Sequence, residues 1–280
     1  MKRLVIIVLT LLTGVGVMSY PTLSNYLTQR NGSGAIQTYA ETVADLDAAT
    51  RAAQWAAAEE YNQTLTGQPV HDPFLEGTGM AMAENYRQVL NIDGIMGYLE
   101  IPRIRVYLPM YHGTSDAVLQ TGLGHLEGST LPIGGESRHA VISGHTGLSH
   151  AKLLTDLVEL AEGDQFYVHV LGETLAYAVD KIAIVEPHDT DELRRFAGWD
   201  YVTLLTCTPY GVNSHRLLVR GERVPYEPAV RASIAPVASA TDRMVMVAGG
   251  STAGAMAALI AIVLAAKRRR EYAVRPRRSW

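Results

Sequence analysis

Cysteine is almost absent: the 280 residues contain one, Cys207. A single thiol rules out an internal disulfide framework, so stability has to come from a packed core. No second cysteine exists to build a zinc site. The histidines His139, His145 and His150 are not joined by a carboxylate at a zinc-ligand spacing. No metal and no cofactor is therefore implied. Internal repeats and a phosphate-binding glycine loop are missing, and no basic, aromatic-rich stretch offers a nucleic-acid surface. Charge itself is missing from two long runs, residues 4–18 and 244–266.

Those uncharged runs lie at the two ends. The first, with Ser19 to Leu23, approaches the roughly 20 residues that a spanning helix needs. The second has 23 residues, or about 35 Å of helix at ~1.5 Å per residue. Lys2 and Arg3 precede the first, and Lys267-Arg268-Arg269-Arg270 follow the second. Basic flanks mark the cytoplasmic side of a membrane. The expectation is a retained anchor over 1–23, a transmembrane helix over 244–266 and a basic cytoplasmic tail over 267–280, with the region between them outside the cell. No Ala-x-Ala-like cleavage site follows the first run. Between residues 19 and 243 there are 15 basic and 27 acidic residues, so the exposed middle is acidic.

Within that middle, residues 24–93 read as a helical region. Ile36, Tyr39, Val43, Leu46, Ala53, Ala57 and Tyr61 recur at helical spacing over 36–66. A loop over 67–79 follows, whose glycines and prolines exclude helix and central strand. From about Gly94 to 225 the chain is mainly β. The expected strands are 96–101, 104–107, 140–143, 165–170, 175–186, 201–207 and 216–223, with helical interruptions near 150–161 and 191–197. Many strands with few helices predict a closed barrel or a sandwich. Residues 226–243, with Pro228 and Pro236 among Ala, Ser and Thr, read as a linker.

The chemistry concentrates at strand ends. Cys207 closes the apolar run Tyr201-Val202-Thr203-Leu204-Leu205-Thr206-Cys207. After a turn-rich loop, Arg216 opens the next run, nine positions on. A hairpin would set the guanidinium beside the sulfur and favour a thiolate. His145 ends another short strand, in Ala140-Val141-Ile142-Ser143-Gly144-His145-Thr146-Gly147. Thiol and imidazole together can do nucleophilic acyl transfer. The papain-type Cys-Gly-Ser-Cys-Trp context is absent, and here the histidine precedes the cysteine.

The segment TLLTCTPYGVNSHRLLVRG, the strand ending in Gly144-His145-Thr146-Gly147 and the opening Gly97-Tyr98-Leu99-Glu100-Ile101-Pro102 together resemble the sortases. The closest likeness is to class C, the pilin-polymerising type of Gram-positive bacteria. The resemblance implies an eight-stranded barrel with N-terminal helices, Cys207 as nucleophile, His145 as acid–base and Arg216 as the positive group. It also implies a lid before the barrel, carried by Asp72, Pro73 and Phe74. Thr206 is a further candidate for substrate contact. The implied substrates are pilin subunits with an LPXTG-like sorting signal, joined to a lysine amine of the next subunit. Two alternatives stand beside this: anchoring of surface proteins to a cell-wall precursor peptide, and a non-catalytic assembly scaffold.

Overall fold

The computed structural model describes residues 2–65, 70–75, 85–148 and 151–237, with single helical positions at 254, 261 and 265. The chain divides into two compact units, Met1–Ser19 with Ala238–Trp280, and Tyr20–Val237. Among the described residues no helix is long and apolar enough to cross a membrane, so the flanking anchors expected over 1–23 and 244–266 find no support here. Most of the second falls outside the described residues.

Helix α1 runs Lys2–Asp45 and α2 Ala48–Thr64. One helix was expected over 36–66; the break has a local cause. Asp47 takes an extended conformation and its carboxylate accepts from Thr50 N at 2.8 Å, which makes it the N-cap of a new helix. Arg51 donates to the Val43 and Leu46 carbonyls at 3.0 and 3.4 Å, satisfying the end of α1. Ile36, Tyr39 and Val43, spaced along one face of α1, are buried. The Tyr39 hydroxyl accepts from Leu171 N at 2.9 Å.

The strands are β1 Ile95–Ile101, β2 Val106–His112, β3 Leu123–His125, β4 Arg138–Ser143, β5 Gln165–Val170, β6 Glu173–Val185, β7 Asp200–Thr208 and β8 His215–Val224. Short helices α3 Asp116–Leu119 and α4 Pro228–Ser233 complete the set. The strands close into a barrel in the order β1-β2-β3-β4-β7-β8-β6-β5, sealed where Leu99 of β1 faces Val168 of β5. Leu99, Ile101, Met110, Ile142, Phe166, Val168, Leu204 and Val219 belong to its apolar core. Gly221 is required there, since a Cβ would come within 2.5 Å of the Phe166 ring. A second cluster, Val70, Leu126, Val141, Leu193, Leu205 and Leu218, forms apart from that core.

Three expectations are corrected. The strand expected at 104–107 starts later, because Pro102–Ile104 forms a 3-10 turn ending at Arg105 with φ 55°. It then continues through Pro109 to His112. Pro109 stands just before β3 begins to pair at Met110, so its missing N–H interrupts no ladder on that side. Of the helical interruption expected near 150–161, the described residues 151–161 form no α-helix: Leu153 takes φ 39°, and only Thr155–Glu159 coils, as a 3-10 turn. Of the residues read as linker, 228–233 form α4, which Arg231 pins to Glu100 of β1 at 2.8 Å.

Candidate active site

Cys207 and Arg216 are directly opposed residues of the antiparallel β7–β8 hairpin. The ladder therefore sets the sulfur and the guanidinium on the same face of neighbouring strands. His145 follows the end of β4, which lies parallel to β7 with Ser143 facing Leu205. Gly144 N donates to the Leu205 carbonyl at 3.1 Å, and the His145 carbonyl accepts from Leu154 N at 3.1 Å. A Cβ on Gly144 would meet the Leu123 and Leu154 side chains at 2.6 and 2.9 Å, so a larger residue there would have to displace both leucines. The structure thus brings Cys207, His145 and Arg216 to the same end of three neighbouring strands, as the sequence suggested.

The segment 70–75, the described part of the expected lid loop, lies over that end. Arg216 Nε donates to Asp72 Oδ2 at 2.5 Å and Nη2 to Oδ1 at 3.2 Å, a two-pronged pair with both side chains buried. The Asp72 carboxylate also accepts from Phe74 N at 2.8 Å, so it shapes its own turn through Pro73 while holding Arg216. The Phe74 ring lies 5.4 Å from the His145 ring and 5.3 Å from the Arg216 guanidinium carbon. Val70 packs into the second apolar cluster with Leu205 and Leu218.

Burial pushes the Cys207 thiol above its ordinary pKa. Arg216 pulls it down, and Asp72, by its negative charge, pushes it up again. With the segment in place, burial and the Asp72 charge thus both favour the protonated thiol. Arg216 also donates to the carbonyls of Asn213 and His215, both at 3.1 Å. Asn213 takes φ 59°, a conformation asparagine tolerates, and so aims its carbonyl back at the guanidinium.

Thr206 links two strand ends. Its side chain is buried and its hydroxyl donates to the Gly144 carbonyl at 2.7 Å, tying β7 to the residue before His145. In the covered state it therefore tethers the backbone just before His145. His139 is engaged by the Arg194 carbonyl and the Thr203 hydroxyl, both at 2.7 Å. Sequence reading passed over Val70 and Leu193, the apolar bed beside Phe74, for want of any chemical signature. A cavity of about 890 Å³ between α2 and the β8 end, lined by Arg51, Trp55, Leu175, Asp200 and Arg223, contains none of the three reactive residues.

A thiol, an imidazole and a guanidinium at neighbouring strand ends of a closed barrel are the framework of a cysteine transpeptidase. Residues 99–224 match the sortase domain model. The chain is 48% identical to sortase C-1 of Streptococcus pneumoniae, covering 69% of this chain and 100% of that one, with a TM-score of 0.66. It is 41% identical to the pilus-related sortase C of Group B Streptococcus, covering 68% and 97%, with a TM-score of 0.64. Sortase D of Bacillus subtilis is 31% identical over 131 residues, 46% of this chain and 63% of the relative. The chain spans between 52% and 66% of the length of the curated relatives it matches. It belongs to the sortase family, and within it to the class C type.

Proposed function

We propose that this chain joins pilin subunits, cutting an LPXTG-like sorting signal between Thr and Gly and passing the threonine to a lysine side chain. The observation that carries the reading is the pairing of Cys207 with Arg216 across β7–β8 under a segment whose Asp72 and Phe74 occupy the guanidinium and the imidazole. Such a cover fits an enzyme that waits for a particular protein substrate.

When the segment lifts, Asp72 leaves Arg216 and the thiol loses a negative neighbour. His145 takes the Cys207 proton, and the thiolate adds to the threonine carbonyl carbon. The freed guanidinium donates to the oxygen as negative charge gathers there. The C–N bond breaks, His145 returns its proton to the departing glycine amine, and a thioester remains on Cys207. A lysine amine then attacks the thioester carbonyl. An isopeptide C–N bond forms, the C–S bond breaks and the amine proton passes to His145. One amide is exchanged for another and no water is consumed. The acidic middle of the chain would favour approach of the lysine ammonium.

The same reading places the catalytic unit outside the cell with its ends at the membrane. What supports this is the charge-free runs at 4–18 and 244–266 with their basic flanks, and side chains such as Ile6, Leu9 and Val17 exposed on α1. The test is incubation of the full chain with an LPXTG peptide, with and without a lysine-bearing pilin fragment, beside a Cys207→Ala control. An isopeptide product lost in the control supports pilin joining. Cleavage that turns over onto a cell-wall peptide amine and ignores the pilin overturns it in favour of anchoring. No reaction after removal of Asp72 and Phe74 leaves a scaffold.

A further inference from the structure

Ser143 is fully buried, and its hydroxyl has no hydrogen-bond partner among the described residues. A buried hydroxyl without a partner is costly, and native folds rarely keep one without reason. Its position supplies a reason. Ser143 is the last residue of β4 and faces Leu205 of β7, while Leu205 in turn faces Leu218 of β8. Directly paired residues point to the same side of a sheet, as do residues two apart along a strand. Ser143, Leu205, Leu218, Cys207 and Arg216 therefore share one face. It is the face where Val70 joins Leu205 and Leu218, and where Asp72 and Phe74 cover Arg216. Ser143 lies one strand across and two residues along from Cys207, about 8 Å away by strand geometry.

We propose that the Ser143 hydroxyl is a polar contact for the acyl-donor peptide, hydrogen-bonding its main chain about two residues before the bond that Cys207 attacks. The inference rests on the reading of this cleft as a sorting-peptide site. An extended peptide advances ~3.3 Å per residue, so a carbonyl on Cys207 brings the main chain two residues upstream over Ser143. The neighbouring floor at Leu205 and Leu218 is apolar and can take side chains but no main-chain hydrogen bond. Ser143 is the polar group on β4 that fills this gap. Among the described residues the covering segment brings apolar Val70 and Phe74 to this face and no partner for the hydroxyl. Lifting the segment relieves that deficit, and Ser143 thereby biases the cover towards opening.

The test uses the full chain in two backgrounds, the intact cover and the Asp72→Ala, Phe74→Ala form, each with Ser143, Ser143→Ala or Ser143→Thr. With the cover removed, Ser143→Ala is expected to lower kcat/KM for an LPXTG peptide about five- to tenfold, mostly through KM. The pH profile of Cys207 labelling by a small thiol reagent stays where it was. Ser143→Thr, which keeps the hydroxyl, restores most of the loss. With the cover intact, Ser143→Ala slows labelling at least about threefold, because the closed state no longer hides an unpaired hydroxyl. Equal kcat/KM for all three side chains overturns the inference while leaving the sorting-peptide reading in place. So does a loss that Ser143→Thr fails to restore and that comes with a shifted labelling profile, since that marks disturbed packing around His145. Failure of the Ser143 parent to cleave the peptide even without the cover removes the sorting-peptide reading, and this inference with it.

Discussion

The β7–β8 hairpin and the 70–75 segment meet over one sulfur, yet they are held in opposite ways. The hairpin is a continuous ladder from Tyr201–Glu222 to Thr208–His215, flanked on both sides by further strands. The segment is held by a charge pair to Arg216, a ring against His145 and Arg216, and Val70 in a small apolar cluster. In the proposed reaction, the parts that must keep their geometry are built into the barrel, and the part that must leave is fastened to the residues it covers. Arg216 therefore has two partners at different times, Asp72 in the covered state and a reacting carbonyl in the proposed open one.

The sharpest way to break this comparison is Arg216→Ala. It removes the group that would face the developing oxyanion, so peptide cleavage should fall roughly 10²- to 10³-fold. It also leaves the Asp72 carboxylate buried without its cation, which loosens the cover. Labelling of Cys207 should therefore speed up while turnover collapses. Parallel losses in both would mean that Arg216 mainly supports the barrel.

Asp72→Ala with Phe74→Ala gives the next largest effect. Hydrogen bonds to charged groups contribute ~1.5–3 kcal/mol, so Cys207 labelling should rise about ten- to a hundredfold. The sign of the pH effect follows from the groups involved. Burial and the Asp72 charge both raise the thiol pKa, while Arg216 lowers it. Removing the first two effects moves the midpoint of the labelling profile to lower pH. An unchanged midpoint and rate would mean that the segment does not cover the sulfur in solution.

The smallest effect belongs to the barrel. His125 and His139 are buried, and burial pushes both down to about 4. The unfolded chain takes up protons near pH 6.5 that the folded barrel refuses until about 4, so stability is complete above 6.5 and drains as pH falls through that window. Between pH 7.5 and 6.0 the two rings together should cost about 1.5 kcal/mol, a fall in Tm of roughly 3–6 °C. A melting series in that range checks it; a flat Tm would mean that these rings are not neutral in the folded state.

The parts legible from sequence were those with strong local signals. β7 and β8 are long apolar runs broken by a turn-rich loop, so their pairing and the facing of Cys207 with Arg216 could be read in advance. Asp72, Pro73 and Phe74 stood out through resemblance. β3 was invisible because three residues, Leu123–His125, carry no periodicity, and half of their pairing is parallel to β2. The run of leucines near 153–160 mimics a helix, but its burial comes from packing a turn against the barrel, which spacing alone does not reveal. The bond from Thr206 to the Gly144 carbonyl was not legible, because nothing local tells a hydroxyl facing solvent from one reaching across to a neighbouring strand.

The closure of the sheet has a consequence for how a partner is caught. Many proteins bind an extended peptide by letting it join a free sheet margin as one more strand, using main-chain bonds that read little sequence. A sheet that closes on itself has no such margin to offer. Here β1 meets β5, and β7 is enclosed between β4 and β8. An incoming chain has to lie across the outer wall and be recognised through side chains and connecting loops. Preference for one partner over another can then change by altering those connections, while the ladder that aligns Cys207 with Arg216 stays as it is.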